Sequence, residues 1–255
     1  MNMNLLEVSN LSKSFGGVNA VQDVSFAIAP GVIYSVIGPN GAGKTTLFNL
    51  ITGIYTPSQG TISLQGEALE GKAPNQLAER GMARTFQNLQ ICSNMSALEN
   101  VMVGAHLRMD RNLLKAALRL PGMRQRDRQL REEAAELMRF VGLEKYLGSD
   151  ADSMPYGALK RLEIARALAM KPRIVFLDEP AAGLNPRETD DVAQLVRRVS
   201  ESGVTVVLVE HDMKMVMNLS DRILVMEYGR KLAEGSAEEV RANPAVVAAY
   251  LGVHA

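Results

Sequence analysis

The feature that most constrains this chain is a glycine-rich segment between a β-branched run, Ile33–Ile37, and a helical pattern that begins at Lys44. Glycines here let backbone N–H groups curve around phosphates, and the N-terminus of the following helix adds a positive dipole end. The lysine can reach β- and γ-phosphate oxygens, and the Thr45 hydroxyl is suited to Mg²⁺. The alternative is a glycine-rich turn without a ligand. We predict a nucleotide-phosphate site formed by Gly38, Pro39, Asn40, Gly41, Ala42, Gly43, Lys44, Thr45 and Thr46.

Two adjacent acidic residues follow another strand-like run much further along the chain. Residues 174–177 are typical of a buried strand, and Asp178 and Glu179 come directly after them. In this position Asp178 is suited to hold Mg²⁺, and Glu179 is suited to orient a water molecule and take its proton. The alternative is that the two acids only cap the next helix. Beside the glycine-rich segment, they predict hydrolysis of a nucleoside triphosphate.

Strand-like runs alternate with helical patterns, which indicates parallel strands joined by crossover helices. Residues 5–29 and 61–64 instead alternate like antiparallel strands, and helix formers dominate from about 88 to 152. We expect a single domain over 1–255. Its parts are a nucleotide-binding core (1–87 and 161–235), a helical subdomain (88–160) and a C-terminal helical tail (236–255).

Composition limits the partners and the compartment. The chain has 28 basic and 28 acidic residues, so no overall field favours nucleic acid, and no nucleic-acid partner is expected. Cys92 is the only cysteine, which excludes an intramolecular disulfide and suits the cytosol. Residues 1–10 lack the basic and apolar regions of a signal peptide. The apolar runs are far shorter than the roughly 20 residues that cross a bilayer, so another chain would have to supply any pore.

The residues after Glu179 resemble a known family. Pro180 and the sequence Ala-Ala-Gly-Leu-Asn-Pro at 181–186 follow it as the D-loop does in ABC ATPases, which the chain resembles over nearly its whole length. The resemblance implies ATP and Mg²⁺ as ligands and ATP hydrolysis as the activity. It also implies an α/β fold: the parallel sheet core of a P-loop NTPase (RecA-like), an N-terminal antiparallel β subdomain and an α-helical insert subdomain.

The same resemblance assigns roles to three further residues. Gln87 matches the glutamine that contacts Mg²⁺ and the attacking water, and His211 matches the histidine that reaches the γ-phosphate. Phe15 matches the aromatic residue that stacks on adenine. The alternatives are a surface glutamine, a structural histidine and an ordinary core phenylalanine.

The signature loop of this family departs from its usual Leu-Ser-Gly-Gly-Gln sequence, because the chain has Met-Pro-Tyr-Gly-Ala at 154–158. In the family, this loop of one subunit clamps the γ-phosphate bound to the other. Pro155 lacks a backbone donor. Tyr156, Gly157 and the N-terminus of the following helix are the groups expected to contact the phosphate.

Several motifs, including Glu-His-Asp-Met at 210–213 and Ala-Tyr-Leu-Gly at 249–252, resemble one subgroup, the ATPases of branched-chain amino acid importers. The implied partners are two membrane permease subunits, a second ABC ATPase subunit in a heterodimer or homodimer, and, indirectly, an extracytoplasmic substrate-binding protein. The implied location is peripheral, at the cytoplasmic face of the inner membrane. The competing hypothesis is a soluble ABC ATPase in DNA repair or translation, without a membrane partner.

Two features of the insert allow more than one interpretation. Its apolar residues Leu89, Ile91, Met95 and Leu98 are suited either to a groove for a permease helix or to the core of the insert itself. Residues 108–131 carry an excess of Lys and Arg over Asp, as a solvated helix face or a surface near anionic lipid would.

Overall fold

The structure is a computed structural model that describes residues 4–108 and 121–251. The chain divides into two compact units, and each is described by itself. The first unit combines Met1–Arg84 with Arg173–Ala255, and the second unit is Thr85–Pro172.

The strands all belong to the first unit. They are β1 (Leu6–Phe15), β2 (Val18–Ile28), β3 (Ile33–Ile37), β4 (Gln59–Leu64), β5 (Glu67–Ala68), β6 (Met82–Arg84), β7 (Ile174–Asp178), β8 (Thr205–Val209), β9 (Arg222–Glu227) and β10 (Arg230–Gly235). The helices are α1 (Lys44–Ile51), α2 (Pro74–Glu79), α3 (Ala97–Gly104), α4 (Pro121–Phe140), α5 (Tyr156–Leu168), α6 (Pro186–Glu201), α7 (Met213–Leu219), α8 (Ala237–Ala242) and α9 (Pro244–Leu251), with α3 to α5 in the second unit.

A six-stranded sheet forms the centre of the first unit, in the order β10-β9-β3-β8-β7-β6. Strands β9, β3, β8, β7 and β6 run parallel to one another, and β10 at the edge is antiparallel to β9. Every residue of β3, β7 and β8 is buried, as continuous apolar runs in parallel sheets require. Because parallel strands all end at one edge, the loops after β3, β7 and β8 lie together there.

A second sheet of the first unit is antiparallel, in the order β2-β1-β4-β5. One hydrophobic cluster includes residues of both sheets and of α1. In it the rings of Phe48 on α1 and Phe176 on β7 meet edge to face, with their centroids 5.4 Å apart. The predicted α/β fold with an antiparallel β part is therefore confirmed.

Helix α3 begins at a capping box in the second unit, where the Ser96 side chain accepts from the Glu99 amide. A Cβ atom on Gly104 of α3 would overlap the carbonyl oxygen of Arg166 on α5, so glycine is what allows these helices to approach closely. This packing places all of α5 in the second unit. The second unit, Thr85–Pro172, is therefore wider than the helical subdomain expected at 88–160. Residues from 161 onwards were expected to belong to the nucleotide-binding core.

Within the described residues, no helix is both long enough and apolar enough to cross a membrane. Residues 109–120 of the basic segment lie outside the described residues.

Candidate nucleotide site

Two glycines of the phosphate-binding loop have no room for a side chain. Gly38 has φ of +152°, and a Cβ atom on it would overlap the carbonyl oxygen of Met226. Gly43 has φ of +96°, and its Cβ atom would overlap the carbonyl oxygen of Ala20. Both positions favour glycine conformationally and need it sterically. The glycines of the predicted loop at positions 38 and 43 therefore have a backbone conformation that residues with a side chain would not adopt there.

Lys44 opens α1 with its ammonium group buried in this loop. Its Nζ donates to the carbonyl oxygens of Gly38 at 2.7 Å and Pro39 at 3.0 Å. Burial lowers the pKa of Lys44, whereas the charges of Glu179 and Asp178 raise it. The two carboxylates are thus close enough to act on this ammonium, as the sequence predicts for one nucleotide site.

Asp178 ends β7 and is paired with a residue that the sequence analysis did not select. The Arg84 Nη2 lies 3.0 Å from Asp178 Oδ2, and both side chains are largely buried. The Nη1 of the same arginine donates to Asn49 Oδ1 and Thr52 Oγ1, each at 2.7 Å. Burial lowers the pKa of Arg84, and the bond to Asp178 raises it. Arg84 ends β6, a strand too short for its sequence pattern to reveal.

Glu179 and His211 make direct contact at the edge of the sheet. The His211 Nε2 lies 2.9 Å from Glu179 Oε1. Glu179 has φ of +50°, and its amide donates to the Val209 carbonyl at 3.0 Å. A non-glycine residue at positive φ is uncommon and costs free energy, so its surroundings must hold it in place.

Glu210 provides part of that support and was also missed by the sequence analysis. Its two carboxylate oxygens accept from the Ala181 amide at 2.7 Å and from the His211 amide at 2.9 Å. It therefore connects the loop after β7 with the loop after β8. Burial raises the pKa of Glu210, and the backbone donors oppose this change.

Phe15 lies at the end of β1 and is 42% exposed, which excludes the core alternative. Its ring contacts Tyr55 edge to face, and Lys13 Nζ lies 5.1 Å from its centroid. An exposed aromatic face is suited to stacking on a base.

The oxygen donors of the first unit fit a magnesium ion. Thr45 is exposed at the start of α1, and Asp178 supplies a carboxylate near Lys44. Hydroxyl and carboxylate oxygens are ligands that Mg²⁺ prefers.

The second unit contains the remaining predicted site residues. Gln87 is exposed in the segment after Thr85, Tyr156 is exposed at the start of α5, and Gly157 is buried beside it. The Glu163 carboxylate on α5 accepts from the Phe86 amide at 3.4 Å. The structure thus brings Lys44, Asp178, Glu179 and His211 together, whereas the roles of Gln87, Tyr156 and Gly157 stay predictions.

The sheet, the glycine-rich loop and the strand-end carboxylates define the first unit as a P-loop nucleotide-binding fold. A family model described as "ABC transporter" matches residues 21–182, and the chain therefore belongs to the ABC transporter family, as its ATP-binding component. A second family model, "Branched-chain amino acid ATP-binding cassette transporter", matches residues 230–255. The predicted family is confirmed.

Two relatives cover nearly the whole chain. This chain is 46% identical to the high-affinity branched-chain amino acid transport ATP-binding protein BraF of Pseudomonas aeruginosa, over 99% of each chain. It is 43% identical to LivG of Escherichia coli K12, a protein of the same description, also over 99% of each chain.

Solved structures show the same fold. A nucleotide-free ATP-binding cassette from an ABC transporter matches with a TM-score of 0.84 and 30% identity, covering 98% of this chain and 100% of that one. A cassette in its ADP conformation matches with a TM-score of 0.84 and 31% identity, covering 98% of this chain and 99% of that one. A dimeric bacterial ABC transporter cassette matches with a TM-score of 0.77 and 25% identity, covering 91% of this chain and 98% of that one.

Proposed function

We propose that this chain hydrolyses ATP to drive an importer of branched-chain or related amino acids. The observation that carries the hydrolytic part is the contact between Glu179 and His211 at a sheet edge where Lys44 also lies. In this proposal no residue of this chain contacts the transported amino acid, so the site itself does not indicate the substrate. The assignment of the transported class is supported instead by the similarity to BraF and LivG over 99% of the chain.

Each group of the site has a distinct task in this proposal. The loop 38–46 binds the triphosphate through its backbone amides, and Lys44 exchanges its bonds to the Gly38 and Pro39 carbonyls for phosphate oxygens. Glu179 accepts the proton of the attacking water, and His211 holds the Glu179 carboxylate in the required orientation. Phe15 stacks on the adenine ring.

Thr45 and Asp178 would hold Mg²⁺. When bound, the ion neutralises charge on the phosphate oxygens. Arg84 keeps the Asp178 carboxylate in place, so that this ligand does not have to be ordered when ATP and Mg²⁺ bind.

The assembly that we propose is a head-to-tail dimer of ATPase subunits, in which Tyr156 and Gly157 of one subunit face the ATP bound to the other. The partner is a second, related ATPase or a second copy of this chain, and the dimeric cassette of similar fold supports this arrangement. Two permease subunits form the membrane pore, and an extracytoplasmic protein delivers the substrate. The chain then works at the cytoplasmic face of the inner membrane.

Leu89, Ile91 and Met95 are each only half-buried, whereas Leu98 is buried, so three of the four residues leave apolar surface on the second unit. Such surface supports a groove for the permease rather than a purely internal core.

Affinity purification of the tagged chain from detergent-solubilised membranes of its host, with ATP and Mg²⁺ present, tests the proposal. We expect two polytopic proteins and a second ATPase to be recovered, and the associated extracytoplasmic protein to bind a branched-chain or related amino acid. Recovery of ribosomes or nucleic acid, with no membrane protein, would refute the transport assignment and favour the soluble alternative.

A further inference from the structure

A fully buried asparagine on α3 bonds to the loop that precedes this helix, residues 89–96. Asn100 is 0% exposed, and its Oδ1 accepts from the Cys92 amide at 2.9 Å. Its Nδ2 donates to the carbonyl oxygens of Cys92 and Ser96, each at 3.0 Å. One side chain thus bonds to both the N–H and the C=O of Cys92, as a residue of a paired antiparallel strand does.

The chemistry of this position requires a side-chain amide. Two partners of Asn100 are carbonyl acceptors and one is an N–H donor, so the orientation of its amide group is fixed. Aspartate would place a charged oxygen against the two carbonyl oxygens. Leucine, which has a similar size, would leave the Cys92 N–H without its acceptor. A buried polar network whose members are paired specifies one conformation of the backbone that it binds.

Other contacts of the second unit hold the same loop. The Cys92 carbonyl also accepts from the Met95 amide at 3.2 Å, which closes a turn, and the Met95 carbonyl accepts from the Ala151 amide at 3.1 Å. The Arg166 guanidinium on α5 donates to the carbonyl oxygen of Gln90. The backbone of the 89–96 loop is therefore fixed from α3, from α5 and from the segment before α5.

The 89–96 loop also carries apolar side chains that are partly exposed. Leu89, Ile91 and Met95 are half-buried, and Phe86, just before the loop, is 42% exposed. A loop that presents apolar groups in one fixed arrangement loses less conformational entropy on binding a partner than a mobile loop does. The hydrogen bonds of Asn100 are thus suited to prepare this surface for binding.

We propose that Asn100 is a positioning residue for docking of the membrane permease: it fixes the 89–96 loop so that its apolar side chains meet an apolar face of a permease helix. The inference rests on the proposed function, in which these side chains form a groove for the permease. Asn100 is fully buried, so it acts through the loop and does not contact the partner. Glu179 and His211 belong to the first unit, so hydrolysis by the chain alone does not depend on Asn100.

The first test measures the mobility of the 89–96 loop in the full chain. Cys92 is the only cysteine, so alkylation by N-ethylmaleimide reports on one thiol in this loop. Asn100→Ser shortens the side chain and removes its bonds to Cys92. We expect alkylation of this variant to be about ten-fold faster than that of wild type, because the loop opens more often. Asn94→Ser is the matched control, because Asn94 is exposed in the same loop, and it should react at the wild-type rate.

The second test measures docking. The two permease subunits recovered with the wild-type chain are co-expressed with each tagged variant, and the amount of permease retained per chain in detergent is measured. Asn100→Ser should retain at least about five-fold less permease, while its rate of ATP hydrolysis without permease stays within about two-fold of wild type. Asn94→Ser should retain the wild-type amount.

Arg166→Lys is a second variant, which decides the test if circular dichroism shows that Asn100→Ser does not fold. Lysine keeps a positive charge beside Glu163 but lacks the guanidinium that bonds to the Gln90 carbonyl, so both effects are expected in smaller size. Unchanged alkylation in the folded variant would overturn the proposal, even if its melting temperature falls. Faster alkylation with full retention of the permease would overturn it as well. If the wild-type chain retains no membrane protein, the proposed function itself fails, so the two failures are distinguishable.

Discussion

The Nε2 atom of His211 lies 2.9 Å from the Oε1 atom of Glu179, although the residues are far apart in sequence. They follow neighbouring parallel strands, since Asp178 at the end of β7 pairs with Val209 at the end of β8. Glu210 adds a second connection between the same two loops through its bonds to the Ala181 and His211 amides. The Glu179 carboxylate is thus oriented by contacts within the protein.

We expect Glu179→Gln to reduce phosphate release by at least about 100-fold, because an amide cannot take a proton from water. ATP binding should persist, since Lys44 and the loop are unchanged, and the ATP-bound dimer should accumulate. Phosphate release and size-exclusion chromatography with ATP measure the two effects. Glu201→Gln, at an exposed position of α6, should behave as wild type. Full hydrolysis by the Glu179 variant would exclude this residue as the base.

Arg84→Ala should lower the free energy of unfolding by about 3 kcal/mol, because it removes the buried arginine whose Nη2 lies 3.0 Å from the Asp178 carboxylate. Arg80→Ala is the matched control. Arg80 and Glu67 form a 2.7 Å ion pair whose side chains are 30% and 54% exposed, so its loss should lower the free energy of unfolding much less than the loss of Arg84 does. Urea denaturation measures both values. Equal losses in the two variants would contradict the role given to Arg84.

The fold could be predicted from the sequence because its signals are local. Residues 33–37 and 174–177 read as buried strands, and 5–29 read as antiparallel β, as the structure confirms. The second compact unit extends beyond residue 160, the expected end of the helical subdomain, and α5 packs on α3 within it through Gly104 and Arg166. That close approach depends on a contact between distant segments, which no local pattern reports.

Lys44, Asp178 and Glu179 could be predicted to lie together because each belongs to a motif that follows a strand, and the structure brings them together, whereas their roles stay predictions. Arg84 and Glu210 were missed for a physical reason: each acts by contacting a residue on another strand or loop. Gln87 lies three residues after Arg84, and His211 lies directly after Glu210. Gln87 and His211 were selected by resemblance, but the sequence around Arg84 and Glu210 does not indicate that either has a buried partner.

Glu163→Gln should change the pH dependence of stability. Burial raises the pKa of Glu163 above its ordinary value of 4.5, while the Phe86 amide and Arg166 lower it. The unfolded chain therefore ionises first, and the stability that this group contributes below its ordinary pKa is lost as pH rises through the raised value. Glutamine has no such proton. The free energy of unfolding of the variant minus that of wild type should be larger at pH 8 than at pH 4.5.

Urea denaturation at both pH values tests this prediction. Glu136→Gln is the control, because Glu136 is exposed on α4 in the same unit and its carboxyl group is not buried on folding. A difference for Glu163→Gln that does not vary with pH, or that falls as pH rises, would contradict the assigned burial effect.

Gly157→Asp should abolish ATP hydrolysis while the chain still folds. A carboxylate near the N-terminus of α5 interacts favourably with the helix dipole, which offsets part of the cost of a side chain at this buried position. The same negative charge would repel a phosphate approaching this helix end, so the clamp of one subunit on the ATP of the other should fail. Gly148→Asp is the matched control, because a Cβ atom on Gly148 would meet nothing within 4 Å. Phosphate release and circular dichroism of both variants test the prediction, and intact hydrolysis in a folded Gly157→Asp chain would show that this loop does not clamp ATP.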